Sequence, residues 1–358
     1  MARQPSSARP RVTPFEELVN VLEFETEAQR VLADDVFRGV SGSDRPPFER
    51  ITFRPRLMVN CVDLDLTTEV AGQRLVAPII VAPLADQRSF HAEGELATIR
   101  GAAAAKAAVV VSARSSMPIE SLAKEATTPL FCQVFAAEDA ARNVSRAQAA
   151  VQAGCTTVVV TIGATDKGLR SPGRSDWQAV EAMRRAVTVP VVVKGIMTAD
   201  DAKTAAKTGA RAIVVSSYGH PGASGRPAPL DVLADVVDAV EGRTEVLVDG
   251  GFRRGSDIMK ALALGARAVL VGRPVMWGLA AYGADGVQTV IEMLQTELGR
   301  VMGCCGTPSL AAISRAHVKV HAPAPPGRTD VDRPGGAGQN NAATREAEPR
   351  RAQPFSPV

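Results

Sequence analysis

Eight short, almost wholly apolar runs recur along the chain, at 77–82, 108–112, 130–134, 157–161, 191–194, 212–216, 245–249 and 268–272. Each is of strand length, and none alternates apolar with polar residues, which predicts strands covered on both faces. Amphipathic stretches lie between them, at 94–107, 137–153, 176–186, 198–208 and 231–240. Strands alternating with helices predict an α/β protein built on a parallel sheet. Eight units is the number that closes a (β/α)8 TIM barrel, while a doubly wound open sheet has the same alternation and is the structural alternative.

The pattern changes at both ends. Residues 15–68 predict a helical cap ahead of the barrel, and 285–301 reads as a closing amphipathic helix. From 322 onward the sequence is Pro, Gly, Arg, Asn and Ala with almost no large apolar side chain. Such a tail buries too little surface to offset its ordering entropy and is expected to be disordered. The expected organisation is therefore an N-terminal tail and cap over 1–68, a barrel with its closing helix over 69–321, and a tail over 322–358.

Composition narrows the classes. At 358 residues, 46% apolar and 22% charged, the chain can build a large core. A net charge of +3, with no basic run interleaved with aromatics, argues against nucleic acid. Neither a membrane-length apolar stretch nor the apolar core of a signal peptide is seen, so a cytoplasmic protein without membrane contact is expected. The five cysteines are an odd number without metal-ligand spacing. They read as reduced thiols, and no metal is expected.

The densest chemistry lies at 246–274, where one strand ends in Asp249-Gly250-Gly251, a helix follows, and a second strand ends in Gly272-Arg273. Two glycine-rich strand ends one helix apart, with Arg253 and Arg273 beside them, suit a phosphate held by backbone N–H groups and guanidinium ions. Placement in the last two βα units, rather than the first, favours the barrel over the open sheet.

Motifs in the same order make the chain resemble the FMN-dependent 2-hydroxy-acid oxidases and dehydrogenases, such as glycolate, lactate and hydroxymandelate oxidases, over roughly residues 15–321. They are Arg54-Pro55-Arg56-Leu57-Met58, Ala82-Pro83-Leu84-Ala85, His91-Ala92-Glu93-Gly94-Glu95, Val191-Val192-Val193-Lys194-Gly195 and the glycine-arginine pair of strand ends. The resemblance implies FMN as cofactor. Ala82, Pro83 and Ala85 would lie against the flavin ring, and Ser112, Gln133, Thr161 and Ser216 would contact it. Lys194 would sit beside flavin N1 and O2, where an ammonium suits the negative charge of a reduced flavin. Asp249, Gly250, Gly251, Arg253, Gly272 and Arg273 would hold the ribityl chain and phosphate. It also implies a small-molecule substrate and a homo-oligomer, a tetramer by family analogy.

The catalytic positions depart from the family. Its proton-removing histidine after the sixth strand falls on Tyr218, in Ser216-Ser217-Tyr218-Gly219-His220-Pro221, and one substrate arginine falls on Pro221. The aspartate that orients the histidine falls on Gly163, one tyrosine on Phe135 and the N-terminal tyrosine on Val36. Arg170 still matches an arginine that contacts the substrate carboxylate. A phenol is a poor base near neutrality, so Tyr218, His220 and Lys194 are the catalytic candidates, and Asp166 is a further carboxylate nearby. Arg170 and Phe135 are the substrate-binding candidates. The connection from 163 to 190 is shorter than the family's lid, which suits a bulky or carrier-presented substrate. Three functions remain open from the sequence: a divergent oxidoreductase acting on CH–OH or CH–NH groups of an anionic substrate, an FMN-dependent isomerase without net oxidation, and an inactive flavin-binding homologue.

Overall fold

The computed structural model describes residues 12–42, 46–136, 140–165, 168–169, 174–218 and 227–322. The eight predicted runs form a closed barrel of parallel strands. They are β1 (Ile79–Leu84), β2 (Ala108–Val111), β3 (Leu130–Phe135), β4 (Thr157–Thr161), β5 (Val191–Ile196), β6 (Ala212–Val215), β7 (Glu245–Asp249) and β8 (Ala268–Val271). The closing pair is β8 with β1, register Leu270 to Ile80. Helices α1 (Glu95–Ala104), α2 (Ile119–Ala123), α3 (Ala140–Ala153), α4 (Arg174–Ala186), α5 (Ala199–Lys207), α6 (Pro229–Val240), α7 (Gly255–Ala263) and α8 (Arg273–Cys305) follow the strands in turn. The open sheet is thereby excluded.

Both faces of each strand are buried, for different reasons. Ile80, Ala108, Val110, Phe131, Val159 and Leu270 point inward and pack with one another. Val81, Val109, Val111, Val134 and Val158 point outward into the shell under the helices. This two-sided burial is why the runs carry no alternation. At the N-terminal end of the barrel, Val70, Ala71 and Leu75 join the inner cluster. They come from a hairpin, Thr68–Val70 paired with Gln73–Leu75. The Ala71 N–H donates to Glu245 Oε2 at 2.8 Å, and Glu245 also pairs with Arg211 at 2.9 Å. The hairpin thus plugs the barrel floor.

The N-terminal segment differs from the helical cap expected over 15–68. Its helices Val21–Val31, Asp34–Arg38 and Pro46–Glu49 are followed by a strand, Ile51–Phe53. That strand pairs antiparallel with Val318–Val320, so the two ends of the described chain are stitched together. Asn20 caps the first helix through Leu22 N–H at 2.9 Å. Its apolar face, with Val21, Phe24 and Ala28 buried, packs on α8. Tyr282 locks this contact: its ring meets Phe15 and Phe24 edge-on at 5.9 and 5.7 Å, and its hydroxyl donates to Thr13 O at 2.6 Å.

The closing helix begins twelve residues earlier than the amphipathic pattern suggests, because it bends at Gly283 (φ 60°). The bend folds its two halves together so tightly that a Cβ on Gly286 would lie 2.1 Å from the Gly278 carbonyl oxygen. An amphipathic pattern sees only the second, longer half. Residues from 323, where the disordered tail is expected, lie outside the described residues.

Two outcomes follow from this packing. Gly286→Ala should destabilise the protein by about 1–3 kcal/mol, as overpacking does, seen as a lower Tm with unchanged far-UV circular dichroism. Burial, then the Glu27 carboxylate, push the Tyr282 phenol up to about 12 from 10.0. A phenol whose folded pKa is raised favours the folded state fully below pH 10 and loses that contribution as pH rises toward 12. Denaturant titrations across that window should show the loss in the wild type and not in Tyr282→Phe.

Candidate active site

The C-terminal ends of the strands enclose a cavity of about 570 Å³, within the range usual for cofactor sites. The backbone there is irregular by design of the sequence. Pro83 has no N–H to offer β2, and the β1–β2 register shifts between Val81 and Leu84. The β5–β6 register shifts between Lys194 and Ile196. The intervening Gly195 has φ 109°, and a Cβ there would lie 2.9 Å from the Ile162 carbonyl oxygen. Such bulges at strand ends aim side chains at a site.

Lys194 is 3% exposed. Its ammonium meets Asp249 Oδ2 at 2.8 Å and donates to Ser216 Oγ at 2.8 Å. The Tyr218 ring covers it, with Nζ 5.0 Å from the ring centroid. The Ser216 hydroxyl also accepts the Tyr218 N–H at 3.2 Å. Ends of β5, β6 and β7 are therefore tied by one buried cation. On the next strands, the Gln133 amide donates to Thr161 Oγ1 at 3.0 Å while its oxygen accepts the Ala113 N–H at 3.0 Å. Ser112, Gln133, Thr161 and Lys194 form a polar edge of the cavity, and Ala82, Pro83, Leu84, Leu270 and Met276 an apolar wall.

The opposite end is cationic. Gly250 and Gly251 turn the chain with φ 96° and 79°, conformations that favour glycine. Asp257 Oδ2 accepts the N–H groups of Arg253 and Arg254, both at 3.0 Å, which fixes the loop leading into α7. The Arg253 guanidinium lies 4.5 Å over the Trp277 ring. Arg253 and Arg273 converge on one carbonyl oxygen, Gly42 O, at 3.1 and 2.9 Å. The α8 N-terminus starts at Arg273, adding its partial positive charge.

Nearly all the residues foreseen for the cofactor lie on this one surface: Ala82, Pro83, Ala85, Ser112, Gln133, Thr161, Lys194, Asp249, Gly250, Gly251, Arg253, Gly272 and Arg273. Ser216, also foreseen, lies just behind this surface. It is fully buried and holds Lys194 from behind, while Ser217 lines the cavity. The cap residues at the cavity are Gly39, Val40 and Ser41, and Val36 is not among its lining residues. The small Gly39–Gly42 stretch was the available signal. Phe135 and Tyr218 both line the cavity, with Tyr218 47% exposed. Arg170, His220 and Asp166 lie outside the described residues.

The FMN-dependent dehydrogenase family model matches residues 41–173 and 165–320. The chain belongs to this family. It is 34% identical to peroxisomal (S)-2-hydroxyacid oxidase GLO3 of Arabidopsis thaliana, across 85% of this chain and 97% of that one. L-lactate oxidase of Nostoc sp. is 36% identical across 84% and 98%. The solved structure of mandelate oxidase with (S)-2-phenylpropionate superposes with a TM-score of 0.79 at 35% identity, across 85% and 99%. A mandelate oxidase variant has also been solved with a C4a-OH-FMN adduct.

FMN is the family's cofactor, and the cavity's donor set fits it. A flat, largely apolar tricycle with one polar edge matches the wall and edge just described, and a phosphate dianion matches the paired arginines. Replacing either arginine by methionine should weaken FMN binding about 10- to 100-fold, the worth of a charge-assisted hydrogen bond. Riboflavin binding should change little. Flavin fluorescence titrations of Arg253→Met and Arg273→Met with both ligands check this.

Proposed function

We propose that this family member is a divergent FMN-dependent oxidoreductase whose substrate is bulkier than a simple 2-hydroxy acid and carries an anionic group. The supporting observation is the replaced proton-handling pair. By the resemblance Tyr218 falls at the base position, and its ring covers Lys194; Gly163 falls at the orienting position, with φ 72°. An aspartate at the buried Gly163 position would, without an imidazolium partner, be an uncompensated charge. Joint loss of the two is the physically consistent outcome.

In this reading the arginines and Gly250, Gly251 and Gly272 hold the phosphate, Asp249 the ribityl chain, and Lys194 the ring edge. FMN supplies the two-electron acceptor. Ala82, Pro83 and Ala85 back the ring, and Ser112, Gln133 and Thr161 orient it. Lys194, paired with Asp249, holds positive charge where negative charge develops. Phe135 and Tyr218 offer aromatic surface to the substrate, and Gly39 leaves room where the cap meets the cavity. Arg170 is the residue assigned to a substrate carboxylate. His220 is the alternative acid or base to Tyr218. The short 163–190 connection favours a large small-molecule acid or one presented on a carrier.

Anaerobic mixing of the flavin-loaded protein with a panel of hydroxy and amino acids tests this. Large aromatic or carrier-bound acids should bleach the flavin faster than glycolate and lactate. No bleaching by any member would overturn the assignment. Tyr218→His combined with Gly163→Asp should raise the rate on lactate by about 100-fold.

A further inference from the structure

The cap loop meets the cationic end of the cavity through a single backbone atom. The Gly42 carbonyl oxygen accepts from Arg253 Nη2 at 3.1 Å and from Arg273 Nη1 at 2.9 Å. Two guanidinium groups drawn to one oxygen repel each other, so the carbonyl must be firmly held to keep them there. Its neighbours hold it. The Gly42 N–H donates to Glu25 Oε1 at 3.2 Å, and the Val40 carbonyl accepts from Trp277 Nε1 at 3.0 Å. The same Trp277 ring supports Arg253, whose Nη1 donates to Phe252 O at 2.9 Å. Gly42 has φ 92°, a conformation that favours glycine. A Cβ there would stand 3.8 Å from Arg273 Nη1, an ordinary contact, so the angle more than the space calls for glycine.

We propose that the Gly42 carbonyl is a positioning group for the cofactor phosphate: it aims Arg253 and Arg273, and the phosphate in turn fastens the cap loop. A guanidinium carries its N–H donors in a rigid fork, which can serve a carbonyl and a phosphate together. One already drawn to a carbonyl has given up the rotamer freedom that phosphate binding would otherwise cost. Such coupling is reciprocal: whatever the docked loop adds to phosphate affinity, the phosphate adds to docking. The preceding loop residues, Gly39, Val40 and Ser41, line the cavity. The cofactor phosphate therefore sets the cap-side wall of the cavity, and a flavin without phosphate leaves that wall loose. The opposite arrangement, with Gly42 O as a stopper that the phosphate expels, needs a loop ready to leave. Trp277 and Glu25 anchor this one.

The inference rests on the assignment of the phosphate to these arginines, which Arg253→Met and Arg273→Met test separately. Flavin fluorescence titrations of Gly42→Ala with FMN and with riboflavin test the coupling. Alanine is strained at this φ and turns the carbonyl away without removing a cation. FMN binding should weaken about 3- to 10-fold, the cost of ordering one or two long side chains, and riboflavin binding should stay as in the wild type. Glu25→Ala removes the anchor of the Gly42 N–H. By charge alone, losing a carboxylate on this loop strengthens phosphate binding; through the loop, it should weaken FMN binding as Gly42→Ala does. In the wild type, amide hydrogen exchange over 36–42 should slow about threefold or more with FMN and little with riboflavin. Wild-type FMN affinity in Gly42→Ala, equal losses for FMN and riboflavin, tighter FMN binding in either variant, or equal protection of the loop by both ligands would overturn the proposal. Weakened FMN binding in the arginine variants beside unaltered binding in Gly42→Ala would remove the coupling and leave the phosphate assignment standing.

Discussion

A lysine ammonium buried at the top of a barrel needs counter-charge and hydrogen bonds to offset its lost hydration. Lys194 has both, from Asp249 on β7 and Ser216 at the end of β6. The pair is worth most for what it holds in place. It ties three consecutive strand ends together, seats Tyr218 through its ring and its backbone N–H, and leaves a fixed positive charge on the polar edge of the cavity. Every reading of the chemistry starts from that charge.

Around it the molecule separates two tasks. One end of the cavity carries paired arginines, a helix N-terminus and two left-handed glycines, the means by which backbone and guanidinium hold an anion. The other end carries aromatic and small residues, Phe135, Tyr218 and Gly39. On the proposed reading, cofactor holding is kept and proton handling is altered. The two sets lie on different strand ends, so one can change while the other stays. Barrel folds permit this because the ring of strands is rigid without the loops.

Much of this was legible from residues alone. The eight strands lie almost where their apolar runs lie, since burial on both faces leaves an unbroken run that no other element of that length would show. The residues that line the cavity were legible because most sit at the end of such a run, and their convergence follows once the runs are known to be parallel and closed. Less legible were features built by approach of distant segments. The floor plug depends on Ala71 meeting Glu245, 174 positions away. The bend of α8 depends on Gly278 meeting Gly286. Gly39, Val40 and Ser41 reach the cavity from the cap, where Trp277 Nε1 donates to the Val40 carbonyl at 3.0 Å.

By itself, then, the order of amino acids determined the number of strands, their parallel sense and the set of side chains at their ends, because these depend on local periodicity and on which faces are buried. Tertiary structure alone decided that Ser216 meets Lys194 just behind the cavity surface, that the Tyr218 ring covers an ammonium, and that Ser112 and Gln133 border two cavities. Those outcomes are set by bulges and by side-chain direction across neighbouring strands. A shift of one residue in register reverses which face a side chain occupies, and no one-dimensional pattern records that shift.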